Sequence, residues 1–174
     1  MIDFKLYYNN FCNFEVCNGI GIGCTLFTQI CNHKCNGCFN KQTWDKQNGK
    51  ILTEKEMNEI IKTLQNEYIA RFTISGGDPL EQAEALSRLL YKIRDKFPNL
   101  KIWIYSGYTF EEAITDRYKA ECLKLCDVLV DGRFVDELKD LTLAFRGSSN
   151  QRIIDLKKTF KSNKVVLYDL EKKG

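Results

Sequence analysis

The chain has 174 residues, 44% hydrophobic and 28% charged, with a formal net charge of +3. That length suits one domain with a real core, expected over residues 1–174 with a short, less ordered C-terminal tail. Lysines and acids interleave, so no basic patch points to nucleic acid. No apolar run approaches a membrane span, and the N-terminus lacks the apolar core of a signal peptide. The expectation is a cytoplasmic protein with no direct nucleic acid or membrane partner. Eight cysteines in a reducing compartment favour metal or catalytic use over disulfides.

Residues 1–19 carry little pattern, with aromatics mixed among asparagines. Cys12 and Cys17 lie here; they are either extra ligands or, more often for such residues, small buried hydrophobes. Gly19-Ile20-Gly21-Ile22-Gly23 reads as a close-packed turn, because a strand (Cys24–Thr28) follows it where a dinucleotide fingerprint needs a helix. Thr53 and Glu56 form a capping box that opens a helix with Met57, Ile60, Ile61, Leu64 and Tyr68 on one face. Arg71–Ser75 is a strand ending in Gly76-Gly77-Asp78-Pro79-Leu80. A second helix buries Leu86, Leu89, Leu90, Ile93 and Phe97.

Lys101–Tyr105 is the next strand, ending in Ser106-Gly107-Tyr108, and Trp103 and Tyr105 pack the sheet. Thr109 and Glu112 open a helix that runs, with a break, towards Cys126. Cys122 and Cys126 are four apart on that helix, where thiols are more often core than ligands. Asp127–Gly132 is a short strand, residues 133–164 are less regular, and Val165–Tyr168 is a last strand. Strands alternating with helices argue a parallel sheet with right-handed crossovers, whose ligands sit at the carboxyl ends of the strands. The loops after the strands should therefore share one mouth.

One such loop is Cys31-Asn32-His33-Lys34-Cys35-Asn36-Gly37-Cys38. Three thiolates at these spacings can converge on one inorganic centre. A zinc knuckle completed by His33 or a distant cysteine is one reading. A cubane iron–sulfur cluster with one iron left open to a small molecule is another, while unliganded core thiols fit poorly with the polar and small residues between them. His33, the sole histidine, reads as a loop contact rather than a ligand. Gly76-Gly77-Asp78 allows close backbone approach with an acid beside it, although Pro79 opening a helix would explain the same residues.

The CxxxCxxC loop resembles that of the radical S-adenosylmethionine enzymes. Five segments in order are similar to the activating proteins of anaerobic, class III ribonucleoside-triphosphate reductases: 35–45 (CNGCFNKQTWD), 75–80 (SGGDPL), 103–108 (WIYSGY), 127–134 (DVLVDGRF) and 145–151 (FRGSSNQ). The resemblance covers about Gly19 to Ile153. It departs at the turn, where Ile20, Ile22 and Gly23 stand near a usual proline and arginine, and at Ile30, where a glycine often precedes the first cysteine.

The resemblance implies an α/β fold, a partial (β/α) barrel of mostly parallel strands of the radical S-adenosylmethionine type. It implies a [4Fe-4S] cluster on Cys31, Cys35 and Cys38, and S-adenosyl-L-methionine bound along Gly37, Cys38, Phe39, Gly76, Gly77 and Asp78, with Asp78 able to pair with its ammonium. No side chain is assigned as a catalytic acid, base or nucleophile, and Tyr108 and Arg146 are further contacts or mere caps. The implied activity is reductive cleavage of that cofactor and formation of a glycyl radical on the large subunit of the reductase. A flavodoxin-type protein is the implied electron donor. Other classes stay open: an iron–sulfur carrier or zinc module, and a radical enzyme for a small molecule. Size favours a protein substrate, because 174 residues leave little chain to wall in a small one. Residues 131–151 are the expected docking surface.

Overall fold

In a computed structural model, residues 3–171 are described. The strands are β1 (Tyr7–Glu15), β2 (Gly23–Thr28), β3 (Lys50–Ile51), β4 (Arg71–Gly76), β5 (Lys101–Tyr105), β6 (Val128–Asp131) and β7 (Arg152–Asp155). They form one sheet in the order β3-β1-β2-β4-β5-β6-β7. The four central strands β2, β4, β5 and β6 are parallel, while β1, β3 and β7 add antiparallel edges. The sheet is open: β3 and β7 end it and do not pair with each other. The expected α/β sheet is present and parallel through its four central strands, and the strand pairing does not close it into a barrel.

The helices are α1 (Glu54–Leu64), α2 (Ala83–Lys96), α3 (Phe110–Ala113), α4 (Arg117–Lys124) and α5 (Leu156–Ser162). Both expected capping boxes form. Thr53 and Glu56 close on each other at α1, and Thr109 and Glu112 do so at α3. Asp116 caps α4 after a short break by accepting from the Lys119 amide at 3.0 Å. Leu86, Leu89, Leu90 and Ile93 of α2 are fully buried, each contributing about 1.5–3 kcal/mol. Tyr68 departs from expectation: α1 ends at Leu64, so the residue lies beyond the helix and is exposed.

Alternation along the strands sorts side chains into two layers. Cys24, Leu26, Phe72, Ile74, Ile102, Ile104, Leu129 and Ile154 pack with the helices in the main core, joined by Cys122 and Cys126. The opposite face holds Trp103, Val128, Val130 and Ile153, with Tyr105, Phe145 and Tyr168 against them. Trp103 meets Phe145 and Tyr168 edge-on at 5.6 and 5.4 Å. Val165–Tyr168 is therefore not a full strand. It touches the sheet edge by a single bridge, Ile154 to Leu167, and Tyr168 helps cover this face. Residues 172–174, the end of the expected tail, lie outside the described residues.

The floor of that second face is polar. Arg71 is fully buried, and its guanidinium donates to Glu15 Oε1 at 2.5 Å and to Thr73 Oγ1 at 2.8 Å. The glycine turn packs on it: a Cβ at Gly19 would lie 2.8 Å from Arg71 Cδ and 2.9 Å from Trp103. The close-packed turn expected from the sequence thus has a specific cause, a buried arginine beneath it.

Candidate functional site

The ends of the parallel strands meet the cysteine loop. Backbone bonds join them: Gly77 N donates to Thr28 O at 2.9 Å and Asp78 N to Ile30 O at 2.8 Å. Gly76 has φ +106, and a Cβ there would sit 2.5 Å from the Thr28 backbone, so glycine is required by both conformation and space. Ile30 just before the loop has φ +76. That left-handed conformation costs a β-branched residue about 1–2 kcal/mol, a strain that glycine would not carry.

A cavity of about 270 Å³ opens there. It is lined by Cys31, Cys35 and Cys38 and, across from them, by Ser75, Gly76, Gly77, Asp78, Ser106 and Gly107. Phe39 and Phe134 meet edge-on at 5.8 Å on its wall, with Lys139 Nζ 5.0 Å above the Phe39 ring. Five of the six cofactor residues expected from the resemblance line this cavity. Gly37 does not; its φ of +71 turns the loop, and it packs against Asp136. Of the eight cysteines, only these three line the cavity. Cys24, Cys122 and Cys126 are core, Cys12 is half-buried, and Cys17 is exposed, contrary to its reading as a buried hydrophobe.

Burial pushes the Cys31 thiol up to about 11, against hydrogen bonds from the His33 and Lys34 amides. Cys35 is raised for the same reason, opposed by the Phe134 amide and the Arg133 charge. The Asn40 amide donates to Cys38 Sγ at 3.4 Å. Backbone donors therefore face all three sulfurs, and such donors favour a thiolate over a thiol. Among the described residues no three Cys, His, Asp or Glu side chains gather closely enough for a single metal ion. Three soft donors spaced around a cavity fit a polynuclear iron–sulfur centre.

Asp78 is 1% exposed and caps the turn of 3₁₀ helix opened by Pro79. Its oxygens accept from the Leu80 amide at 2.9 Å, the Gly107 amide at 2.9 Å and Ser106 Oγ at 3.0 Å. Asp78 Oδ2 also meets His33 Nε2 at 2.6 Å. The helix-opening turn expected at Pro79 forms, and Gly76, Gly77 and Asp78 line the cavity beside it. Tyr108 donates to Glu81 at 2.9 Å, and Arg146 donates to Gln151 O at 2.7 Å, so both hold loops together.

Residues 17–154 match the family model described as a 4Fe-4S single cluster domain. The chain is 38% identical over 154 residues to the anaerobic ribonucleoside-triphosphate reductase-activating protein of Escherichia coli K12, covering 86% of this chain and 99% of that protein. The chain belongs to this family of reductase-activating proteins. The like-named protein of bacteriophage T4 is 39% identical over 138 residues, 78% of this chain and 85% of its own. That of Vibrio cholerae is 38% identical over 150 residues, covering 84% and 96%. Among the described residues no helix is long and apolar enough to cross a membrane.

The sequence did not disclose the links that hold the site together. Asp78 and His33 are 45 residues apart, and Arg133 and His33 are 100 apart. The one available signal was the placement of the sole histidine between two cysteines.

Proposed function

We propose that this chain is a radical S-adenosylmethionine activase that generates a glycyl radical on the large subunit of an anaerobic ribonucleoside-triphosphate reductase. Cys31, Cys35 and Cys38 would hold the [4Fe-4S] cluster. The observation that carries this reading is that these three cysteines share one cavity at the strand ends, while the sheet's other face is filled by Arg71, Trp103, Phe145 and Tyr168. Held there, the cluster would supply the electron for reductive cleavage of S-adenosyl-L-methionine, the chemistry from which a glycyl radical would be made.

The chain's own residues do the rest. The three thiols give up their protons to ligate, and the amides facing them stabilise that charge. Gly76 and Gly77 let backbone approach closely, and Phe39 forms part of the cavity wall. A protein substrate would reach the cavity at its mouth. Leu138 and Leu141 are exposed, Leu141 by 83%, on the 131–151 segment we assign to docking. A flavodoxin-type donor would deliver the electron in the cytoplasm.

The test is anaerobic reconstitution with iron and sulfide. About four irons per chain are expected, and reduced protein given S-adenosyl-L-methionine should form 5′-deoxyadenosine and methionine. Stoichiometric zinc without iron uptake would refute the reading. Cluster uptake without cofactor cleavage would instead favour an electron carrier.

A further inference from the structure

The cysteine loop is held by few bonds of its own. Cys31 N donates to Trp44 O at 3.1 Å and Cys38 N to Cys35 O at 3.3 Å. Between Cys31 and Cys35, Asn32 and Lys34 are exposed and Asn32 makes a surface bond to Glu81 at 2.7 Å. His33 alone turns inward, its side chain 5% exposed. We propose that His33 is a positioning residue that fixes this loop, its imidazole bridging Arg133 and Asp78, against the ends of β4 and β5. This rests on the reading of the three cysteines as cluster ligands.

Both ring nitrogens are committed, and the partners set the tautomer. Arg133 Nε lies 3.1 Å from His33 Nδ1, and a guanidinium only donates, so Nδ1 accepts. The ring's proton is therefore on Nε2, which donates to Asp78 Oδ2 at 2.6 Å. Tyr108 meets the ring edge-on at 4.5 Å. Gly107 makes room on the remaining side: a Cβ there would lie 2.7 Å from Nε2, and Gly107 has no left-handed φ to explain its identity otherwise. Arg133 is itself braced by Glu112 at 3.7 Å.

The consequence is a knot. Asp78 ties the end of β4 to Ser106 and Gly107 at the end of β5, and His33 ties the cysteine loop to Asp78. Asp78 takes four donors in all, from Leu80, Ser106, Gly107 and His33, so the histidine acts through the geometry of the loop. Losing the histidine bridge lets the cysteine sulfurs drift relative to the glycine backbone across the cavity. Second-sphere partners of metal sites typically matter by ten- to a hundredfold.

The test uses the full chain with His33→Ala and His33→Gln; the glutamine amide can still donate to Asp78. Iron per chain is measured first. Then the reduced cluster's electron paramagnetic resonance spectrum is titrated with S-adenosyl-L-methionine, which reads binding rather than turnover. His33→Ala should bind at least about tenfold more weakly at equal iron content, and His33→Gln should recover most of that loss. If alanine prevents iron uptake, glutamine decides: restored iron and binding support the bridge, and loss in both overturns it. Unchanged binding in His33→Ala also overturns it. Because the chain has one histidine, ¹⁵N-histidine spectra of the cluster-free protein give a separate readout. A single Nε2–H tautomer is expected, shifted by Asp78→Asn, and an Nδ1–H tautomer would refute the assignment. Wild-type protein that takes up no iron would refute the proposed function instead, and the ring spectrum would still judge the bridge.

Discussion

Removing the Glu15 carboxylate should cost more stability than any surface change of similar size. Its Oε1 accepts from Arg71 Nη1 at 2.5 Å and from Thr25 Oγ1 at 2.7 Å, and its Oε2 accepts from the Cys17 and Asn18 amides at 2.6 and 2.9 Å. Glu15→Ala leaves the buried guanidinium with Thr73 at 2.8 Å and a long contact to the Glu15 carbonyl at 3.4 Å, while Arg71 Nε already has no partner. Breaking a buried pair from one side costs about 3–5 kcal/mol. At roughly 2–4 °C per kcal/mol for this chain length, the melting temperature should fall by about 6–20 °C.

The pH dependence follows from the same contacts. Burial pushes the Glu15 carboxyl up, but the Arg71 and Thr25 hydrogen bonds and the Arg71 charge outweigh it and hold the group below its usual range. A lowered carboxyl stabilises the fold above its unfolded value and loses that contribution as pH falls through the folded one. The gap between wild type and Glu15→Ala should therefore be widest near neutrality and close in acid. Thermal melts by circular dichroism on cluster-free, reduced protein measure both effects. A fall under about 2 °C at neutral pH would refute the buried-pair account.

Three further outcomes are expected. Cys31→Ala, Cys35→Ala and Cys38→Ala should each lose the cluster, whereas Cys122→Ala and Cys126→Ala should keep full iron and lose only about 1 kcal/mol of stability; iron analysis and denaturant melts decide. Because burial raises the Cys31 and Cys35 thiols and ligation requires thiolates, cluster uptake should improve as pH rises from about 6 to 9, and uptake that falls over that range would contradict this. Tyr168→Ala should uncover Trp103 and cost about 0.5–1.5 kcal/mol beyond lost area, with a red shift in Trp103 emission read in a Trp44→Phe background.

The helices and central strands were legible because their signals are local. Thr53 and Thr109 cap where their glutamates three residues on require, and the α2 leucines recur at helical spacing. β1 was missed because its asparagines disfavour strands, and it forms only by pairing with β2 and β3. β7 and α5 were hidden in the irregular 133–164 segment. The Ile153–Ile154 pair is too short to read alone, and Asp155 caps α5 without a long apolar stripe behind it. Tyr68 continued the helical period past the point where Gln65 ended α1. At the site, the cysteine spacing was plain, but the bridge from His33 to Asp78 is purely tertiary and left no periodic trace.

The proposed activity ends in a radical on a partner protein. The most direct measurement is electron paramagnetic resonance of the anaerobic mixture of reconstituted protein, its reductase, a reductant and S-adenosyl-L-methionine. A glycyl doublet on the reductase, absent when Cys35→Ala replaces the wild type, is the predicted result. Cofactor cleavage with no protein radical would contradict the account and point to a small-molecule substrate at the same cavity.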